Sequence, residues 1–531
     1  MRRLFLLLSF IACGVAGFSQ NNNVDMEQVR KLVIAHSAIT NLYVDEVNEQ
    51  KLVESGIKAM LKELDPHSTY LTAKEVEKMN EPLQGNFEGI GVQFNMAEDT
   101  LFVIQTVSNG PSEKVGILAG DRIVTVNDTA IAGVKMERDE IMKRLRGPKG
   151  SVVRLGVVRR GYDGQLVFRV TRDKIPVHTL DASYMIAPKV GYIKISSFGA
   201  TTHEEFSNAL DTLKKQKMEH LILDLQGNGG GYLKAAVDMA NDFLQEGQQI
   251  VYTEGHKSPR SEFSAMGKGQ FQEGRLVVLI DEYSASASEI VTGAVQDWDR
   301  GIVVGRRSFG KGLVQRPVPL PDGSMIRLTV ARYHTPSGRC IQKPYGEDID
   351  YRKDLSDRFD KGELMHADSI HFPDSLKFQT RVKGRTVYGG GGIMPDCFVP
   401  LDTLSYTKYH RELTAKGAIV STNLTVIDRY RKEYEARYPD FKSFAKKFEV
   451  DDTILSILLA EAEKAGVKFD EELYQASLPL LKVQLKALIA RDLWDMSHFY
   501  EVYNPTDETV MKGLEIIRSK DKDFGLSEWG K

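Results

Sequence analysis

Cysteine is scarce in this chain: there are three in 531 residues, at positions 13, 340 and 397. Removal of an N-terminal leader would leave Cys340 and Cys397, which allows one disulfide and fits two separate buried thiols equally well. An excess of charge of one sign is also lacking. Seventy Lys and Arg stand against 73 Asp and Glu, a net charge of −3, so there is no electrostatic footprint for nucleic acid. Past the N-terminus no apolar run is long enough to cross a membrane. The Gly-x-Ser-x-Gly elbow is missing, and none of the 11 histidines lies in an informative pattern; both absences weigh against a Ser-His-Asp hydrolase. His366 and His371 do not make a metal site on their spacing. His67, in Asp65-Pro-His-Ser68, reads as a turn residue rather than a base.

What is present suits a globular chain of three or four domains, with 42% hydrophobic and 27% charged residues. Met1-Arg2-Arg3 is basic, residues 4–12 are apolar, and 14–19 are mostly small. Residues 1–19 therefore read as a secretory signal, and the expected address is the periplasm. Phe10-Ile-Ala-Cys13 provides an alternative, lipid attachment at Cys13 and association with a membrane.

The most informative stretch is 275–312. Leu276-Val-Val-Leu-Ile280 is a buried-strand pattern, and Ile290-Val-Thr-Gly-Ala-Val295 has helical spacing. Between them lies Ser284-Ala-Ser286-Ala-Ser288-Glu289. Ile302-Val-Val304 then leads to Gly310-Lys311-Gly312, so a lysine flanked by glycines follows the middle serine by 25 residues. A serine at a helix N-terminus has unpaired N–H groups beside it that can hold an oxyanion. It also needs a base. An ordinary lysine titrates near ~10.4, so neutrality near pH 7 costs about 4.6 kcal/mol, which apolar burial can supply. The same pattern also fits a capping box, Ser286 with Glu289, and an ordinary turn at the lysine. The local pattern does not choose among Ser284, Ser286 and Ser288.

Along the chain, residues 25–82 read as an N-terminal helical region, with a second unit at 83–176. Within the latter, Gly89-Ile-Gly91-Val92 opens a strand, 134–145 reads as helix, and Gly120-Asp-Arg-Ile-Val-Thr-Val-Asn127 carries a turn and a strand. Strand–helix alternation from 177 to 400 indicates an α/β core. It includes the loop Gln226-Gly-Asn-Gly-Gly-Gly231 after the buried strand 220–225. That loop has neither the P-loop ending nor the dinucleotide spacing. Residues 345–383 are charged and aperiodic and read as a surface insertion. Residues 404–531 carry apolar stripes at helical spacing and read as a packed C-terminal helical domain.

The serine cluster together with Phe309-Gly-Lys-Gly-Leu-Val-Gln315 resembles the C-terminal processing peptidases, or tail-specific proteases, over about residues 43–400. Residues 83–176 resemble a PDZ domain. The resemblance implies a multidomain α/β fold, a crotonase-like (ββα) protease core with an inserted PDZ domain and helical regions at both ends. It implies Ser286 as nucleophile, Lys311 as general base and Gln315 as its orienting residue. It implies an oxyanion hole from the N–H of Gly229 or Gly230 and of Ala287. Gly89, Ile90, Gly91 and Val92 would bind the terminal carboxylate and last side chain of a peptide. The family usually has arginine where this chain has Gln226. Arg332-Tyr-His-Thr-Pro-Ser-Gly-Arg339 and Tyr388-Gly-Gly-Gly-Gly-Ile-Met-Pro-Asp396 extend the likeness as turns bordering the site.

The implied function is an exported serine endopeptidase that captures protein C-termini and works through an acyl-enzyme, with no metal or other cofactor. Its partners are protein or peptide substrates, and helices at both ends could support a homodimer. The alternatives are an inactive PDZ peptide-binding scaffold and a Ser-His-Asp hydrolase.

Overall fold

The computed structural model of the protein describes residues 26–97 and 99–519; the expected leader and Cys13 lie outside the described residues. The chain divides into two compact units, residues 1–70 and 71–531. In the first, Met26–Leu42 and Glu49–Lys62 are helices, the second capped by the Asn48 side chain on Lys51 N–H. Asp65 then accepts from the backbone N–H groups of His67 and Ser68 at 2.8 and 2.9 Å, and that bonding closes the turn holding His67.

The second unit begins with helix Ala73–Gln84, fixed by a Thr72–Glu75 capping box and ended by Gly85. Strands Asn86–Gly89 and Asp173–Pro176 pair antiparallel. The domain between them therefore leaves and rejoins the chain through one ribbon. Its sheet runs Val92–Ala97, Thr100–Thr106, Arg122–Val126, Val152–Val158, Leu166–Thr171, with Val92–Ala97 at an open edge. The helix expected over 134–145 is shorter, Arg138–Leu145, because Lys135 takes a left-handed backbone (φ 52°) and Glu137 has a non-helical ψ of 139°.

The core sheet has six strands in chain order: β1 (Leu180–Ala187), β2 (Val190–Ile195), β3 (His220–Asp224), β4 (Leu276–Ile280), β5 (Ile302–Gly305) and β6 (Cys397–Phe398). The β1–β2 pair is antiparallel and the others are parallel. Helices α1 (Thr202–Lys215), α2 (Leu233–Asn241) and α3 (Ala287–Asp297) pack on one face, in the largest apolar cluster. The registers Lys194↔Asp224↔Leu279 and Ile280↔Gly305 align the carboxyl ends of β2 to β5, and the loops that follow them share one edge.

Two expectations need correction. The helical domain expected to run from 404 to 531 is instead divided. Helices between Lys408 and Tyr503 form a bundle with its own core, but the last helix, α4 (Glu508–Arg518), covers the other face of the core sheet with Val510, Ile516 and Ile517. The reason is the sheet itself: all five residues of β4 are buried, so the strands require cover on both faces. The 345–383 insertion is also more than surface. Arg358 is 2% exposed and donates to the carbonyls of Arg307 and Ser308 at 3.1 and 3.0 Å. Cys340 and Cys397 are separate free thiols.

The bundle also touches the inserted domain. Arg122 pairs with Asp428 at 2.9 Å, Gln105 donates to Trp494 O at 2.8 Å, and Phe102, Ile104 and Leu424 form a small buried cluster.

Candidate active site

The strand β4 runs into the segment 281–286, which turns sharply into α3. Asp281 holds the turn: its Oδ1 accepts from the N–H groups of Tyr283 and Ser284, both at 3.0 Å. The three serines of the cluster have different fates. Ser284 is fully buried and donates to Leu225 O at 2.8 Å, and Ser288 is fully buried and donates to Asn228 O at 2.9 Å. Ser286 is the partly exposed one. Its backbone has φ 56° and ψ −111°, a conformation that a non-glycine residue holds only under strain, typically about 1–3 kcal/mol. Three neighbouring tethers impose it: the Asp281 turn, and the bonds from Ala285 N–H and Ser288 Oγ to the Asn228 carbonyl.

Lys311 is brought beside Ser286 by two bridging groups. Glu289 Oε2 accepts from Ser286 N–H at 2.7 Å and from Lys311 N–H at 2.9 Å. The two nitrogens are therefore no further apart than the sum of those lengths. On the carbonyl side, the Tyr333 hydroxyl lies 2.5 Å from Lys311 O and 3.1 Å from Ser286 O, its single proton shared between them. Lys311 is partly buried, next to the buried Leu313. Its flanking glycines are needed for close approach: a β-carbon at Gly312 would meet Gln342 N at 2.8 Å, and one at Gly310 would meet Gly392 N at 3.0 Å.

Glu289 is 1% exposed and has four donors, Ser286 N–H and Lys311 N–H on one oxygen, Ser308 Oγ (2.5 Å) and Gly310 N–H (2.8 Å) on the other. Burial pushes its pKa up from the ordinary carboxylate range, while the four donors pull it back. Tyr333 is buried as well, and burial followed by the nearby Glu289 charge drives its phenol well up. In the sequence Glu289 carries only a capping signal, and Tyr333, 47 residues from Ser286, carries no local signal for this contact.

The glycine loop after β3 lies against this junction. Asn228 is fully buried; its side-chain amide donates to Ile195 O at 2.9 Å, and its Oδ1 accepts from Gly230 N–H at 2.8 Å. Gly227 N–H donates to the Asp281 carboxylate. Gly230 has φ +97°, and a β-carbon there would stand 2.8 Å from Ser286 Cβ and 2.9 Å from Ala287 N. Around Gly229 the space is open. Ala287 is the first residue of α3, where backbone N–H groups have no partner within the helix. Gln315 stands in strand Leu313–Pro319, and its amide donates to Thr329 Oγ1 at 3.4 Å.

The two later motifs border the site. Arg339 is fully buried and donates to Gln296 and Asp297 at the end of α3, both at 2.7 Å. Ile393 N–H donates to Ser308 Oγ, and Gly392 N–H to Ile341 O. In the inserted domain, the chain breaks from strand at Ile90 and Gly91 before Val92–Ala97. Ile90 is 3% exposed in that domain's core, and its carbonyl accepts from Ser112 N–H and Oγ. Arg138, first in the short helix, lies over the Phe94 ring at 5.6 Å. The short helix therefore lies alongside the open edge strand.

Comparison with known proteins gives the family. Residues 189–351 match the model for Peptidase family S41, and 89–169 match the PDZ domain. Residues 13–75 match the activating protease CtpB N-terminal domain, and 409–495 match a family of unknown function. The chain is 36% identical over 324 residues to the carboxy-terminal processing protease CtpB of Bacillus subtilis, an alignment covering 60% of this chain and 66% of that one. It is 34% identical over 344 residues to a carboxy-terminal-processing protease of Bartonella bacilliformis, covering 64% and 78%. Among solved structures, a photosystem II D1 C-terminal processing protease is 29% identical, covers 58% of this chain and 89% of its own, and superposes with a TM-score of 0.34. By its S41 match, its PDZ match and its identity to these relatives, the chain belongs to the carboxy-terminal-processing proteases, serine peptidases of family S41.

Proposed function

We propose that the protein is an exported endopeptidase that captures protein C-termini with its PDZ domain and cuts peptide bonds with a Ser286–Lys311 dyad. The observation that carries this reading is the double bridge, in which one carboxylate oxygen and one phenol hold the Ser286 and Lys311 backbones side by side. A tail adds as a strand to the Val92–Ala97 edge, and its carboxylate lies at the Gly89–Val92 turn. Neutral Lys311 takes the Ser286 hydroxyl proton as Oγ attacks the scissile carbonyl. Ala287 N–H and the Gly229–Gly230 loop hold the oxyanion. Gly230 N–H is donated to Asn228 here, so Gly229 is the loop donor nearer to hand. The leaving amine takes the proton back from Lys311, and the acyl-enzyme ester remains. Lys311 then deprotonates water, which releases the acid and restores Ser286. Gln315 steadies the lysine from the neighbouring strand. Residues 1–19 direct export, and the first helical unit, with exposed Leu32, Ile34 and Leu42, serves pairing of two copies.

The test is digestion of a denatured protein carrying different C-terminal tails, by wild type and Ser286→Ala, read by mass spectrometry. Tail-dependent cleavage by wild type alone is expected. Unchanged cleavage by the variant would overturn the assignment of Ser286, and full activity in Lys311→Ala would overturn the dyad.

A further inference from the structure

Behind the glycine loop lies a buried polar cluster that the chemistry above does not use. Lys194 is on β2, in register with Asp224 on β3. It is 7% exposed, and Asp224 is 2% exposed. The Lys194 ammonium donates to Asp224 Oδ1 at 3.0 Å and to the backbone carbonyl of Gln226 at 2.6 Å. Asp224 Oδ1 also takes Gln226 N–H at 2.8 Å, and Oδ2 takes the Tyr192 hydroxyl at 2.6 Å. Lys194 and Asp224 thus hold both polar groups of the Gln226 main chain. The next residue on β2, Ile195, takes the Asn228 side chain through its carbonyl. From the bundle side, the Tyr500 ring stands 5.9 Å from the ammonium and helps close the cluster.

The loop leaving this anchor is short. Gln226 is three residues from Gly229 and four from Gly230, and it is the first residue of the loop to be held, ahead of Gly227 on Asp281 and Asn228 on Ile195. Aliphatic residues would cover this sheet edge at less desolvation cost than a buried ion pair, which is seldom a gain in stability for its own sake. What the pair provides is a direction for the Gln226 peptide. We infer that Lys194 is a positioning residue for the oxyanion loop, setting from the neighbouring strand where the Gly229 N–H lies relative to Ser286.

The inference rests on the Ser286–Lys311 reading. A misplaced donor affects the charged tetrahedral state more than the bound substrate, so the loss falls on kcat. In Lys194→Met, kcat is expected to fall on the order of 10–100-fold, with KM within about twofold. Affinity for a peptide boronic acid, whose Ser286 adduct places an oxygen in the oxyanion site, falls in parallel, while affinity for the product peptide is kept. Lys194→Arg, which keeps the cation and its donors, recovers part of the loss. If Lys194→Met does not fold, Lys194→Gln carries the same measurements, with circular dichroism and melting establishing the folded fraction. A kcat within twofold of wild type overturns the inference. So does a fall in kcat with boronate affinity unchanged, or a loss matched by the unfolded fraction. Failure of the underlying reading looks different: wild type would form no boronate adduct at Ser286, or Ser286→Ala would still cut.

Discussion

Two glycine-containing turns in this molecule follow strand ends, and they are held in different ways. The loop after β3 is tied at nearly every residue. Gln226 is held at both its N–H and its carbonyl, Gly227 N–H goes to Asp281, and Asn228 bonds through side chain and carbonyl alike. The turn at Ile90–Gly91 is held chiefly by backbone bonds: Ser112 on the Ile90 carbonyl and Val107 N–H on the Gly91 carbonyl. Beside it runs a strand edge with no neighbour within the sheet. Under the proposed function the two turns have different tasks. A site that must meet a transient charge at one spot is overdetermined by buried polar ties. A site that must accept tails of varied sequence leaves an edge open and relies on main-chain pairing.

The largest effect expected from breaking this contrast is at Gly230. Gly230→Ala puts a β-carbon into Ala285 O and Ser286 Cβ from a left-handed backbone. Cleavage of a fluorogenic peptide should fall on the order of 10³-fold, with a lower melting temperature. Activity within tenfold of wild type would show that the loop has room to adapt.

Next comes Glu289→Gln. An amide cannot accept on both ends, so two of the four donors lose their acceptor, at about 1–3 kcal/mol each. Stability by denaturant titration should fall by a few kcal/mol, and activity by about 10²-fold. The wild type should also show a pH effect of definite sign. Burial raises the Glu289 pKa, so its protonation begins closer to neutrality than for an exposed glutamate. The carboxylate is the form that accepts all four donors, so activity falls as pH drops through that raised value. An acid limb unaltered in Glu289→Gln would assign the limb to another group.

A smaller effect is expected in the looser turn. Gly91 has φ +71°, and its added β-carbon would meet the end of the Ile175 side chain at 2.9 Å, an atom that can give way. Gly91→Ala should weaken binding of a tail peptide only about tenfold, the cost of an αL alanine of about 1–2 kcal/mol. Fluorescence anisotropy reads this. A loss as large as that at Gly230 would erase the distinction.

The smallest effect is silence. Cys397, buried beneath the last helix, has its thiol pushed up to about 11 by burial. At pH 8 it is almost entirely protonated, and native protein should take up iodoacetamide there only after unfolding. Rapid native labelling would show that α4 does not stay on the sheet.

The strand–serine–helix unit and the glycine-flanked lysine were readable because each is local. Apolar runs of strand and helix period bracket the serines, and glycines mark the turns. The choice of Ser286 among three serines was not local: Ser284 and Ser288 are spent on the carbonyls of Leu225 and Asn228, about sixty residues earlier in the chain. Tyr333, Arg339 and Arg358 were equally hidden, since their partners lie on other elements. The last helix looked like more of the bundle because an amphipathic stripe has an apolar face but no address for it.

Periodicity, turn chemistry and the serine and lysine motifs determined by themselves an α/β core and a small set of candidate reactive side chains, three serines and a lysine, because those signals live within a few residues of one another; the inserted PDZ domain rested on resemblance. Tertiary structure alone decided which hydroxyl is left partly exposed, which carboxylate and phenol bridge the Ser286 and Lys311 backbones, and which helix covers the back of the sheet. Those outcomes depend on buried polar groups finding partners and apolar faces finding cover across long stretches of chain, and no local pattern encodes which partner is met.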